Sequence, residues 1–182
     1  MISVIRARED DYQAIINIGS ISVTEAHRES TTAENMKAYI DRNYCDDAIK
    51  EELKDGGNIY HIVHYNGKPV GFSKIILNAM HPDIAAENVT KLDRIYVLKE
   101  YYNLKLGLEL LKFNIRLAEN NKQSGLWLYT WVGNTRAINF YLKTGFKIIG
   151  SHKFYVTETY YNMNHHMLLD LPETDNVSVS LF

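Results

Sequence analysis

The chain opens on a short alternating segment, Ile2–Arg6, whose apolar and polar positions read as a β-strand. Asp10 and Asp11 suit the start of a helix, with Tyr12, Ile15 and Ile16 on one face. Residues 32–54 read as helical, with Met36, Tyr39, Ile40, Ile49 and Leu53 as candidate core positions, and Gly56-Gly57 ends that run. Two β-rich runs, 58–65 and 68–77, flank Asn66-Gly67, the dipeptide favoured in type I′ hairpin turns. Residues 91–98 form another strand. Apolar residues at 104, 108, 111, 115 and 118 then give a helical period over 102–120, and Leu106, Leu110, Phe113 and Leu117 widen that stripe into a buried helix. A strand over 126–132 follows Gly125. Asn134 caps a short helix holding Ala137, Ile138, Phe140 and Tyr141, Gly145 fits its C′ position, and two strands over about 146–156 and 160–170 complete the pattern. The order β, helices, β-β-β, α, β, α, β-β predicts an α+β fold: a mixed sheet of about seven strands with helices packed on it.

At 182 residues, with 10 Gly, 3 Pro and neither repeat nor linker-like stretch, the expected organisation is a single domain over 1–172 and a C-terminal tail over 173–182. The alternating Val177, Val179 and Leu181 leave two readings of that tail, disorder or a strand added to a second copy of the chain, so a homodimer stays open. No apolar run reaches membrane-spanning length and no basic leader with an apolar stretch opens the chain, so no membrane partner is expected. Cys45 is the sole cysteine, which excludes an intrachain disulfide and a cysteine-cluster metal site and points to a cytoplasmic protein.

Charge changes the picture only when divided along the chain. The sum is −2, yet residues 9–58 hold 12 Asp and Glu against 5 Lys and Arg, a net −7, while residues 91–153 hold 11 Lys and Arg against 4 Asp and Glu, a net +7. One reading is two solvated faces; the sharper one is two ligands of opposite charge meeting in one cleft. The overall balance and the lack of a dense basic run argue against nucleic acid. Among seven histidines, His61 and His64 point to opposite faces of a strand and His165 and His166 are adjacent, so no metal centre is expected. His81-Pro82-Asp83 reads as a plain turn, the other reading being a loop that borders a substrate site.

Two segments carry chemistry. The passage from strand 91–98 into helix 102–120 presents a helix N-terminus, a ready phosphate site, flanked by Lys99 and Lys105 and opened by Gly107. The run Asn134-x-x-Ala137-x-x-Phe140-Tyr141-x-x-x-Gly145-Phe146 lines Asn134, Ala137 and Tyr141 along one side of a short helix, where a small residue admits a ligand and a tyrosine can donate a proton. In this order the stretches RIYVLKEYYNLKLGLELL and NTRAINFYLKTGFKIIG resemble the GNAT superfamily of N-acetyltransferases, over roughly residues 2–171. Within it, LDRIYVLKEYY and GFKIIGSHKFYV look similar to bacterial spermidine/spermine-type enzymes.

The resemblance implies a mostly antiparallel sheet, acetyl-CoA as co-substrate without a metal, and transfer of its acetyl group to a primary amine of a small molecule, a polyamine among the candidates. A protein or peptide acceptor, or a non-catalytic acyl-CoA-binding module, are the other readings. It also implies roles. The backbone of Ile95, Tyr96 and Val97 would pair with the pantetheine arm. Tyr102, Asn103, Leu104, Lys105, Leu106, Gly107 and Leu108 would wrap the pyrophosphate. Asn134, beside Ala137, would contact pantetheine, and Tyr141 would protonate the leaving thiolate. Glu25, His27 and Asp93 are the acceptor-side candidates. The chain departs from the family loop at Lys105, where a glycine is usual. A lysine there would serve if its backbone stayed helical and its side chain pointed outward.

Overall fold

A computed structural model describes residues 1–172, so the expectations for the tail over 173–182 lie outside the described residues. Seven strands form one sheet in the order β1-β2-β3-β4-β5-β7-β6. They are β1 (Ile2–Arg6), β2 (Ile59–Tyr65), β3 (Lys68–Ile76), β4 (Val89–Val97), β5 (Gly125–Trp131), β6 (Lys147–Tyr155) and β7 (Tyr161–Asp170). Every neighbouring pair is antiparallel except β4 and β5. The β2–β3 hairpin turns on Asn66 and Gly67 with φ of 50° and 80°, the positive pair that a type I′ turn requires.

One sheet face is covered by α1 (Tyr12–Ala26), α2 (Ala33–Asn43) and α3 (Asp46–Lys54), which bury Ile15, Ile18, Met36 and Ile49 against Tyr60, Ile62 and Phe72. The opposite face carries α4 (Leu106–Asn120) and α5 (Thr135–Lys143). There Leu111, Tyr141 and Phe146 pack with Leu126, Leu128 and Met167, while Leu106 and Leu110 pack with Val63, Val70 and Val97.

Two boundaries differ from the sequence reading. The single helix expected over 32–54 is two, because Tyr44 leaves α2 to bury its ring over Gly19 of α1, and Cys45 is extended before the acidic first turn of α3. The helix expected over 102–120 begins as a 3-10 segment, Lys99–Leu104, and becomes α4 only after Lys105 turns the chain at φ 57°. Leu104 therefore falls outside the buried stripe and is exposed.

A methyl group at Gly19 would overlap the Tyr44 ring, whose other neighbour is the Arg94 guanidinium at 5.2 Å. Gly19→Ala is expected to cost about 1–3 kcal/mol of stability, as overpacked cores do, seen as a lower urea midpoint at unchanged slope.

His61, 3% exposed and 4.6 Å from the Phe113 ring, is pushed by burial, and secondarily by Arg6, from its ordinary value to about 4. The unfolded chain, with an ordinary value near 6.5, binds that proton first, so stability is full above about pH 6.5 and falls as pH drops toward 4. Denaturant midpoints compared at pH 7 and pH 5 should show this loss, and His61→Leu should make it shallower.

Candidate active site

Parallel pairing between β4 and β5 lasts for three residue pairs, Val89–Gly125, Thr90–Leu126 and Lys91–Trp127, and among the described residues none follows. A β-bulge accompanies the parting. Lys74 pairs with Arg94 and Ile75 with Leu92, so Asp93 is an extra residue on β4, and the strand bends there. Beyond the last pair the facing backbone edges of β4 and β5 are unpaired. A cavity of about 380 Å³ fills the gap. Leu92, Asp93, Arg94, Ile95 and Tyr96 line it from β4, and Tyr129, Thr130 and Trp131 from β5.

The bulge is anchored by charge. Lys91 Nζ lies 2.7 Å and Lys74 Nζ 3.3 Å from Asp93, while Lys74 Nζ and Arg94 each reach Glu52 of α3 at 2.9 Å. Arg94 also donates to the Tyr60 hydroxyl at 2.9 Å. Burial alone would raise the Asp93 carboxyl, but Lys91, Lys74 and Arg94 together hold it below its ordinary range. Asp93 lines the cavity as a carboxylate committed to cations, a poor proton acceptor.

One end of the cavity is roofed by the α1–α2 connection and α2. Tyr39 packs edge-on to Phe154 with ring centres 6.2 Å apart, and Tyr160 donates its hydroxyl to the Ser30 carbonyl at 2.7 Å, tying the β6–β7 hairpin to the helices. His27 lines this end beside Trp131, and burial lowers it to about 4, so it is a neutral imidazole. Glu25, named with it from the sequence, is exposed and lies outside the cavity. The acidic segment 9–58 borders this end, but not with its carboxylates. Of the charged residues in 9–58, Arg42 alone lines the cavity, and every carboxylate there except Asp11 and Glu52 is exposed on the outer helix faces.

His81 and Asp83, read as a plain turn, sit against β5 and β7. The Asp83 amide donates to His81 Nδ1 at 3.1 Å, which assigns the proton to Nε2, and Nε2 lies 2.6 Å from the Tyr129 hydroxyl oxygen. Tyr129 thus accepts from His81 and keeps its own proton for a partner in the cavity. The His81 and His166 Nδ1 atoms also stand 3.8 and 3.9 Å from Asp83 Oδ2. With both His81 nitrogens already hydrogen-bonded, the cluster acts to orient Tyr129.

At the far end, α4 and α5 start close together. Arg136 in the first turn of α5 lies 3.1 Å from the centre of the Tyr102 ring, which precedes α4. Sequence reasoning quoted Arg136 inside the second motif and gave it no role; only this stacking reveals it. Asn134 accepts from the Ala137 amide at 3.1 Å, leaving its amide nitrogen as the donor it can offer. Asn134, Ala137, Ile95, Tyr96 and Tyr141 all line the cavity, whereas Val97 packs with Leu106 and Leu110. Burial raises the Tyr141 phenol well above its ordinary value, and its hydroxyl forms no hydrogen bond among the described residues.

The loop of Tyr102, Asn103, Leu104, Lys105, Leu106, Gly107 and Leu108 lies past the cavity at the end of β4. Leu108 and Glu109 amides donate to the Lys105 carbonyl, so Lys105 is the N-cap of α4. Its backbone is left-handed, so the helical condition set for a lysine there is not met, and this is the conformation that makes glycine the easier choice. Lys105 is exposed, and a Cβ built on Gly107 would meet nothing within 4 Å. A 15-residue helix therefore presents an open first turn with free amide donors, which fits an anionic phosphate group.

Comparison with known proteins agrees with this geometry. Residues 20–146 match the acetyltransferase (GNAT) family model, and the chain belongs to that family. An uncharacterised N-acetyltransferase from Lactobacillus delbrueckii subsp. lactis is 22% identical over 84% of this chain and 88% of its own length. One from Mycobacterium tuberculosis is 26% identical over 66% and 73%. PaiA N-acetyltransferase from Thermoplasma acidophilum, solved with coenzyme A, superposes with a TM-score of 0.76 at 17% identity, covering 94% of this chain and 99% of that one. The ribosomal-protein-S18-alanine N-acetyltransferase from Escherichia coli gives 0.70 at 18%, covering 100% and 99%. The protein is an acetyl-CoA-dependent N-acetyltransferase, and among its described residues no helix is long and apolar enough to cross a membrane.

A left-handed lysine costs about 1–2 kcal/mol of backbone strain, against about 0.5–1 kcal/mol of chain entropy lost with glycine. Lys105→Gly is therefore expected to be neutral or to stabilise by up to about 1 kcal/mol, while Lys105→Val destabilises; thermal midpoints of the two variants check this.

Proposed function

We propose that this acetyltransferase acts on the primary amine of a small molecule, by direct attack on the acetyl-CoA thioester in a ternary complex. The observation that carries the reading is the unpaired β4 edge, which runs from the cavity holding Tyr141 toward the first turn of α4. Ile95, Tyr96 and Val97 offer backbone groups to the amide-bearing pantetheine arm, as an added strand would. Asn134 supplies a further donor, and Ala137 leaves room for the arm. The amides opening α4, with Lys105 and Arg136, receive the pyrophosphate.

The acceptor approaches from the α2 side. A free amine has an ordinary value near 10.4, so it must lose a proton before attack. Asp93 and the neutral His27 are both weak bases. What favours deprotonation instead is the field: Arg42, Lys91 and Arg94 outnumber Asp93 along the cavity wall, and like charges disfavour the ammonium form. The proton leaves to water in the open cavity. An amide N–H on the unpaired β4 edge stabilises the tetrahedral oxyanion. The C–S bond then breaks as the carbonyl re-forms, the thiolate takes the Tyr141 proton, which burial has kept on the phenol, and the second proton lost by the acylated nitrogen returns through water to the Tyr141 oxygen.

Tyr141→Phe is expected to lower kcat more than about tenfold while leaving coenzyme A affinity within about twofold, measured by acetyl transfer under saturating substrates and by calorimetry. Unchanged turnover with chemistry limiting would remove Tyr141 from the mechanism.

A further inference from the structure

Resting on the acceptor reading above, we propose that the amine acceptor also carries a carboxylate, making it an amino-acid-like amine and not a polyamine. Four charged side chains line the cavity, Arg42, Lys91, Arg94 and Asp93. Lys74 and Glu52, which complete their network, add one charge of each sign, so the whole set is net positive by two. Its two carboxylates are committed: Asp93 to Lys91 and Lys74, Glu52 to Lys74 and Arg94. Among the described residues no carboxylate of the cavity is left to receive an ammonium group, and each extra ammonium of a polyamine would enter a field of its own sign.

Arg42 is the cation with capacity to spare. It ends α2 beside the Tyr39 ring at 6.0 Å and forms no ion pair among the described residues. A guanidinium presents a fork that fits a carboxylate bidentately. The amine end has its own partner. Asn164 is 8% exposed, lines the cavity, and its side-chain oxygen is buried without a hydrogen-bond donor among the described residues. A buried acceptor of this kind is costly unless a ligand N–H meets it. Tyr129, held by His81 with its own proton free, adds a donor on the same floor. Between these groups the walls are aromatic, Tyr39, Phe154 and Trp131, which suits an apolar body between amine and carboxylate.

The test uses matched acceptors on one apolar body: the amine with a free carboxylate, the same amine as its carboxamide, and a linear polyamine. Both kcat/KM for acetyl transfer and Kd in the presence of coenzyme A are measured. The carboxylate should be preferred over the carboxamide by about tenfold in both, with the polyamine weakest. Arg42→Gln should collapse that ratio toward one, Arg42→Lys should recover part of it, and added salt should shrink it. A carboxamide bound as well as the carboxylate, or a preferred polyamine, overturns the proposal. Failure of every amine to accept the acetyl group, with the Arg42-dependent preference kept in binding, overturns the small-amine reading while upholding Arg42 as the carboxylate site; loss of the preference with transfer kept overturns the carboxylate proposal alone.

Discussion

The parting of β4 from β5 after three residue pairs is the constraint on which the site depends. A strand in the middle of a sheet must have its amides and carbonyls satisfied on both edges. Here the strands separate past Lys91 and Trp127, and the inner edges face a cavity. Water meets those groups in the free protein; an extended, amide-bearing ligand can meet them with strand-like spacing. The extra residue at Asp93 makes the bend, and the two helices that follow β4 and β5 direct their N-termini to the same end of the gap. Strand edge and helix starts together form one continuous run of donors.

Charge maintains that geometry and gives it chemical character. Lys74, Lys91 and Arg94 converge on Asp93 and Glu52 and tie the bulge to α3. Breaking one member would leave a partly buried charge unpaired, a larger cost than the pair's net contribution. The same residues make the proposed acceptor end positive and hold Asp93 in the wall as a paired carboxylate. Burial acts alongside. It keeps His27 neutral and Tyr141 protonated, so neither acts as a strong base.

The pattern of apolar positions located all seven strands and most helices, because alternation and the 3.6-residue period are local consequences of backbone geometry. It missed the break at Tyr44, since nothing in residues 32–54 says that a tyrosine ring will lie over Gly19 eighty ångströms of extended chain away (about 3.3 Å per residue). It also missed the left-handed turn at Lys105. That conformation is ordinarily announced by glycine, and here a lysine adopts it under the demand of joining β4 to α4.

For the proposed site, the sequence by itself marked the candidate cofactor residues: Asn134, Ala137 and Tyr141 sit at helical spacing after a strand, Gly107 follows a strand into a helix start, and the family resemblance joins the two segments. The proposed acceptor half is visible only in the tertiary structure. Arg42, Asn164, Tyr129 and His81 come from segments far apart in the chain, and their meeting is set by sheet order and the β4 bulge. The segment charge of −7 over residues 9–58 counted carboxylates without saying which face they take. Once folded, those helices turn nearly all of them to solvent and give the cavity an arginine, because a helix sorts its residues by face and only the fold says which face is inside.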